Sequence, residues 1–192
     1  MSLLQKVLDT VASLSEEVLR GVDTEFKNVY LPENKLLLLP GEVNDNLYFV
    51  EAGVLRAFYY HGTEELTSWM VAEGAFAYSV QSFLRQIPSL EGIQTWEPCR
   101  LRVLSREGLH QLLTQYPELN AVMRQLTEQY LLRYDTRVHS LRGMTPLERW
   151  ERFQVQYPEL CGRVALKYIA SYIDITPSTL SRVRTGRMKN KC

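Results

Sequence analysis

The 192-residue chain is 45% hydrophobic and 23% charged, which is ordinary for a globular protein with an apolar core. It has no net charge, and no apolar run approaches the roughly 18 residues that a transmembrane helix needs, so we expect no membrane partner. Three dispersed cysteines, Cys99, Cys161 and Cys192, indicate neither a disulfide framework nor a metal knuckle, and the reducing cytoplasm is the expected location.

Helical and β-prone patterns divide the first half of the chain. Residues 1–28 have apolar side chains every three or four positions, and Ser15 marks a second helix start. From about 29 to 104 the pattern changes to short β-prone runs between turn formers, which predicts a sandwich or barrel-like β domain. The stretch SVQSFLRQ interrupts these runs as one short helix.

Two helices are predicted after the strands. Ser105 begins the first, and Pro117, as the first helical residue, begins a second of about 25 residues. A helix of this length spans close to 40 Å, which is long for a small domain. We therefore favour a connector with a two-fold dimer seam over an ordinary core helix. The predicted seam residues are Leu119, Met123, Leu126 and Tyr130.

The zero net charge hides an asymmetry. From Arg163 to Cys192 there are seven basic residues and one acid, a net +6, so the first 162 residues carry −6. A basic end on an acidic body indicates a polyanionic partner, although a solvated tail is the alternative.

The last third of the chain has strong helix-start signals. Thr145 as N-cap, Pro146 as first helical residue and Glu148 form the pattern of a capping box. Near the end, LKYIASYI and PSTLSRVR indicate two short helices joined by a tight turn. Ala170 would let these helices approach closely where they cross, as in a helix-turn-helix.

The second of these helices has two apolar anchors, Leu180 and Val183, and is otherwise polar and basic. Such a helix suits the major groove, so we predict binding to double-stranded DNA, with Arg182 as base reader and the other cations on phosphates. The alternative is a helical hairpin at the edge of a core. The predicted DNA-binding residues are Thr176, Pro177, Ser178, Thr179, Ser181, Arg182, Arg184, Arg187 and Lys189.

The segment IASYIDITPSTLSRVR resembles the helix-turn-helix of the Crp/Fnr superfamily of bacterial transcription regulators. LLPGEVNDNLYFVEAGVLRAFYYHGTEE is similar to that family's cyclic-nucleotide-binding-type β-roll. The resemblance implies an α+β chain with a jelly-roll-like β-roll (a double-stranded β-helix), flanking helices and an all-α DNA-binding domain. The expected domains are a sensor at 1–116, a dimerisation and connector helix at 117–142 and a helix-turn-helix domain at 143–192.

Two departures concern the nucleotide pocket that the resemblance implies. The family's ribose-binding Phe-Gly-Glu stretch is here Phe76-Ala77-Tyr78-Ser79, and its phosphate-binding arginine falls near Ser89-Leu90-Glu91. A buried phosphate without a cation is costly, so we expect no cyclic AMP binding. An unidentified small-molecule effector stays open. The pocket remnant comprises Phe76, Ala77, Tyr78, Ser79, Ser89, Leu90 and Glu91.

Catalytic and cofactor motifs are not evident in the sequence. His61, His110 and His139 lie far apart without zinc-ligand spacing, and no nucleophile elbow or phosphate-binding loop occurs. We therefore expect no enzyme, no cofactor and no metal, and predict a homodimeric, sequence-specific transcription regulator. The alternative is a ligand-binding β-roll whose helical C-terminus docks a protein partner.

Overall fold

The computed structural model describes residues 2–186 of the chain. Within this range the strands are β1 Lys27–Leu31, β2 Leu36–Leu38, β3 Asn46–Ala52, β4 Leu55–His61, β5 Glu64–Val71, β6 Phe76–Ala77, β7 Gly92–Thr95 and β8 Cys99–Ser105. The helices are α1 Leu3–Val11, α2 Glu16–Glu25, α3 Val80–Arg85, α4 Arg106–Gln115, α5 Leu119–Gly143, α6 Pro146–Gln156, α7 Leu166–Tyr172 and α8 Pro177–Arg184. A 3₁₀ turn covers Pro158–Leu160.

The strands form two antiparallel four-stranded sheets that share one core. Their orders are β1-β8-β3-β6 and β2-β7-β4-β5. Fully buried side chains from both sheets fill the space between them, including Val50 and Leu101 from the first and Leu55 and Ile93 from the second. This arrangement confirms the β-roll that the sequence predicted, within an α+β chain.

Helices α1, α2 and α4 and the start of α5 cover the outer face of the first sheet. Phe49 and Leu104 alternate with the inward-facing residues of β3 and β8 and are buried against these helices. Leu119 and Val122 of α5 belong to the same cluster. The long helix is therefore anchored at its N-terminal end inside this apolar layer.

Helices α6, α7 and α8 pack together and against the outer face of the second sheet. Their apolar core includes Val54, Met70 and Ala72, which come from the β-roll. The two parts of the chain are thus joined by a common core. Within residues 2–186, no helix combines the length and the apolarity that crossing a bilayer requires.

Four helices begin at the N-caps that the sequence signals, whereas the long helix begins later than predicted. The long helix begins at Leu119, two residues after Pro117, because the Leu119 N–H donates to Tyr116 O (3.0 Å) in a turn that comes first. At four other predicted N-caps, the side chain accepts a hydrogen bond from the backbone N–H three residues further along the chain, which confirms the prediction. They are Ser15, Ser105, Thr145 and Thr176.

Candidate nucleic-acid interface

Helix α8 is held by two buried side chains and presents its other residues to solvent. Leu180 and Val183 are buried in the core that α8 shares with α6 and α7. Thr176 caps the helix by accepting from the Thr179 N–H (3.1 Å), and its hydroxyl lies 2.9 Å from the Ser178 hydroxyl. The first turn therefore carries a cluster of hydroxyl groups at the protein surface.

The turn between α7 and α8 is closed by backbone geometry. Asp174 has a left-handed φ of 55°, which carries the chain out of α7. The Ile175 N–H then donates to Ala170 O (3.0 Å), and Ile175 packs against the helical core. Ala170 itself is fully buried, as expected for the crossing point of the two helices. A larger side chain there would push α8 away.

Arg149 ties this turn to the preceding helices. From α6 its guanidinium donates to Leu141 O (2.6 Å) and Met144 O (3.1 Å) at the end of α5. It also donates to Ile173 O (3.2 Å) and Asp174 O (3.0 Å) at the end of α7. One side chain therefore fixes the position of the helix-turn-helix relative to α5.

The exposed face of α8 is basic. Arg182 and Arg184 are exposed, and the Arg184 guanidinium lies 5.9 Å from the Trp150 ring centre. Among residues 2–186, no carboxylate lies within ion-pair distance of Arg182 or Arg184. Arg187 and Lys189, also predicted to bind DNA, lie outside the described residues. The described face thus offers two guanidinium groups and several hydroxyls to an external anion.

A buried arginine joins the β-roll to α7. Arg56 of β4 is only 1% exposed, donates to Glu65 (2.5 Å) and Thr67 (3.2 Å), and stacks 4.0 Å from the Tyr168 ring centre. The Thr67 N–H also donates to the Ser171 hydroxyl (2.9 Å). The first helix of the helix-turn-helix is therefore held on the outer face of β4 and β5.

A second arginine closes the edge of the same junction. Arg163 lies between α6 and α7, donates to Glu73 Oε1 (2.8 Å) and pairs with Glu97. Its backbone oxygen accepts from the Trp96 indole N–H (3.0 Å). The hydrogen bond from Arg163 lowers the pKa of the Glu73 carboxyl to about 2. This pair connects the β-roll to the helices through charges at the surface.

Sequence reasoning did not find these arginines. Arg56 occurs in a β-prone run where an outward-facing position would be expected to reach solvent, and only the docking of α7 buries it. Arg163 contributed to the basic count of the C-terminal segment, yet the structure pairs it with two glutamates. For Arg149, the sequence indicates only a position in the first turn of α6, one residue after the capping box. That position does not predict which backbone oxygens its guanidinium binds.

Three of the predicted pocket-remnant residues, Ser79, Ser89 and Glu91, are joined by hydrogen bonds. Ser79 and Ser89 are buried with their hydroxyls 2.9 Å apart, and Ser89 also donates to Glu91 O (2.7 Å). Tyr78 packs on Phe83, with ring centres 5.0 Å apart. Of the remaining predicted members, Phe76 packs on Phe49, Ala77 is buried in the roll and Leu90 is 80% exposed.

The predicted seam residues lie mostly on the face of α5 that meets its own protomer. Leu119 is buried in the N-terminal cluster, and Met123 and Leu126 are half-buried, with Leu126 packed on the same cluster. Leu119 therefore lies inside the protomer, where a second copy does not reach it. Tyr130 is half-exposed, and burial together with nearby Glu91 raises its pKa.

The fold is similar to those of solved regulator structures. A CooA variant from Carboxydothermus hydrogenoformans matches over 97% of this chain and 84% of that chain, with a TM-score of 0.71 and 17% identity. FixK2 from Bradyrhizobium japonicum matches over 84% and 83%, with a TM-score of 0.73 and 15% identity. CLP from Xanthomonas campestris, described as a c-di-GMP responsive global regulator, matches over 90% and 91%, with a TM-score of 0.68 and 18% identity.

These structural neighbours are Crp/Fnr regulators, and at such identities the likeness establishes the fold. The fold that the sequence resemblance implied is therefore confirmed over most of the chain. No protein-family model and no curated protein matches the sequence.

The Glu73–Arg163 pair predicts an acid-sensitive contribution to stability. The folded pKa of Glu73 is about 2 against an ordinary 4.5, so the carboxylate stabilises the fold above about pH 5 and loses that effect as pH falls toward 2. The pair is half-exposed and screened, so we expect Glu73→Gln to cost about 1 kcal/mol at pH 7. Denaturant unfolding at pH 7, 5, 4 and 3 should show this cost shrinking below pH 5.

Glu64→Gln is the matched control, because Glu64 is exposed at the start of β5 and has no ion pair among the described residues. It should leave the free energy of unfolding nearly unchanged at every pH. A Glu73→Gln cost that stays constant from pH 7 to pH 3 would show that charge on this carboxylate does not stabilise the junction.

Proposed function

We propose that the chain is a homodimeric, sequence-specific DNA-binding transcription regulator of the Crp/Fnr type. The observation that carries the proposal is the exposed, polar and basic face of α8, whose two apolar anchors are already buried. Because the apolar side chains of α8 are already buried within the protomer, the helix does not need to pack against another protein. Its free side matches what a DNA groove offers, namely phosphates and polar base edges.

The geometry of α8 suits entry into the major groove. Its eight residues span about 12 Å, comparable to the groove width. The hydroxyls of Thr176, Ser178 and Thr179 crowd its N-terminal turn, where backbone N–H groups also favour phosphate oxygens. Arg182, one turn further on, has the two-pronged donor geometry that guanine O6 and N7 accept.

Replacement of Arg182 tests the base-reading role. We expect Arg182→Ala to weaken binding to the preferred duplex by about 1–3 kcal/mol and to relax selectivity at one base pair. Sites selected from random duplexes would be measured by fluorescence anisotropy at fixed salt. Arg85→Ala, which removes an exposed arginine of α3, is the control and should leave binding unchanged.

Two results would count against the proposal. If Arg182→Ala binds the selected site as tightly as the parent, Arg182 is not the base reader. If the parent shows no salt-sensitive binding to any duplex, the helix-turn-helix serves another role, and docking of a protein partner becomes the better explanation.

The proposed dimer uses two exposed apolar side chains of α5 and one that is half-buried. Leu131 and Tyr134 are 61% and 55% exposed, and Val138 follows four residues after Tyr134 on the same side of the helix. This three-and-four spacing is that of a coiled-coil seam. The proposed seam lies beside the face of α5 on which Leu126 packs against the core of its own protomer. Pairing two protomers here would present two α8 helices to successive turns of DNA.

Replacement of Leu131 tests the dimer. Leu131→Glu should give monomers by light scattering and lower affinity for two-fold-symmetric sites, because a carboxylate buried in the seam is costly. In a lone protomer the same glutamate would be solvated and the fold would persist, as circular dichroism would verify. Val155→Glu, at the 84% exposed Val155 of α6, should stay dimeric. A monomeric parent would contradict the proposal.

Cyclic AMP is not the effector in this proposal. Within the predicted pocket remnant, the Ser79 and Ser89 hydroxyls are buried against each other, while Arg85 is exposed on α3. A cyclic phosphate placed there would lose its hydration without gaining a cation. Calorimetric titration should therefore give no binding heat with cyclic AMP, and DNA affinity should not depend on it. A micromolar dissociation constant for cyclic AMP would contradict this part of the proposal.

A further inference from the structure

Three arginines line a small cavity where α5 passes α6 and α7. The cavity has a volume of about 30 Å³, and its wall includes Arg137 of α5, Arg149 and Arg152 of α6 and Tyr172 at the end of α7. A space of this volume holds one or two water molecules. Three positive charges around so small a space repel one another, and the backbone oxygens that accept from Arg137 and Arg149 offset this repulsion only in part.

Two of these arginines, Arg137 and Arg152, have donors without a strong acceptor, whereas Arg149 is held by four backbone oxygens. Arg137 donates to Ser68 O (2.7 Å) and Tyr172 O (3.2 Å), but its Nε is buried without a partner among the described residues. Arg152 is half-buried, and its one hydrogen bond within residues 2–186 runs to the Met144 sulfur at 3.7 Å. A thioether is a weak acceptor, so strong donors of both guanidinium groups are unfilled.

Carboxylate counter-charge is scarce at this cavity in the part of the chain that the structure describes. Within residues 2–186, the one carboxylate within 4 Å of these three guanidiniums is that of Asp174, 3.5 Å from Arg149. The Asp174 side chain is largely exposed. The Tyr157 and Tyr172 hydroxyls lie 3.1 Å apart, and because one hydrogen bond joins them, one of the two protons is available to another acceptor.

We propose that the cavity formed by Arg137, Arg149 and Arg152 binds a small monoatomic anion of the size of chloride. The volume excludes larger oxyanions from full entry, whereas chloride occupies about the space of one water. The bound ion accepts from the unfilled donors of Arg137 and Arg152 and from a tyrosine hydroxyl, and Arg149 adds its positive charge. It thereby links α5, α6 and α7, the three helices whose packing sets the direction of α8. This site does not depend on DNA binding.

Thermal unfolding without DNA tests the site. The parent protein would be compared in sodium chloride and in sodium gluconate at matched ionic strength. Chloride at ten times its dissociation constant should raise the unfolding midpoint by roughly 3–5 °C, and the rise should saturate. Equal midpoints in the two salts would overturn the proposal.

A pair of variants with the same change in charge distinguishes chloride binding at this cavity from general effects of salt on stability. Arg152→Gln should lose the chloride-specific rise, while Arg142→Gln, which removes an exposed arginine of α5 outside the cavity, should keep it. A rise that survives Arg152→Gln, or that Arg142→Gln also removes, would overturn the assignment. Bromide-soaked crystals of the parent provide a test that needs no variant. An anomalous peak between the arginines is expected, and an empty cavity would refute the site.

Discussion

The structure depends on one apolar core that belongs to both the β-roll and the helix-turn-helix. Ile169 and Ala170 of α7 are fully buried, and their cluster contains Met70 and Ala72 from the outer side of the β-roll. Full burial of a large apolar side chain contributes about 1.5–3 kcal/mol, and that contribution requires both partners. The three C-terminal helices are too short to bury this surface alone. Their orientation on the roll is therefore part of the fold.

Arginines provide the polar half of the same junction. Arg56 crosses from β4 to α7, Arg137 from α5 to β5 and α7, and Arg163 from the helices to Glu73 and Glu97. A guanidinium carries five donors in a fixed plane, so it can bind carbonyls of two elements and stack on an aromatic ring at once. Lysine cannot replace it in such positions. Helices and strands joined by such an arginine therefore stay in contact and also keep a fixed angle to one another.

Local signals in the sequence predicted the elements, because they act over three or four residues. The serine and threonine N-caps, the capping box at Thr145 and the turn after Tyr172 were all recoverable from the sequence for this reason. The spacing of apolar residues also predicted α5. It does not show whether those residues pack within the same protomer or against a second copy of the chain. Leu119 and Leu126 pack in the protomer, whereas Leu131 does not. That difference depends on where α1 and α2 dock, which is a long-range property.

The residues of the candidate interface were predictable for a related reason. Thr176, Ser178 and Arg182 are exposed on a helix whose apolar residues are few and evenly spaced, so the outward face is set locally. Arg56 and Arg137 were not predictable, because their partners lie on other elements, and Arg56 sits on a strand more than 100 residues from the Tyr168 ring on which it stacks.

These cross-element contacts define how the two parts of the molecule can communicate. Arg137 donates to Ser68 O on β5 and to Tyr172 O at the end of α7, two residues before the turn that leads to α8. A displacement of β5 relative to α5 would stretch one of these hydrogen bonds and move α7 with it. Such a displacement gives β5 two positions relative to α5. A ligand can change the direction of α8 only if its affinity for the protein differs between these two positions. The hydroxyl pair of Ser79 and Ser89 lies instead at the start of α3, and among the described residues no hydrogen bond joins either serine to α7. A ligand bound there would therefore act on α7 through the β-roll.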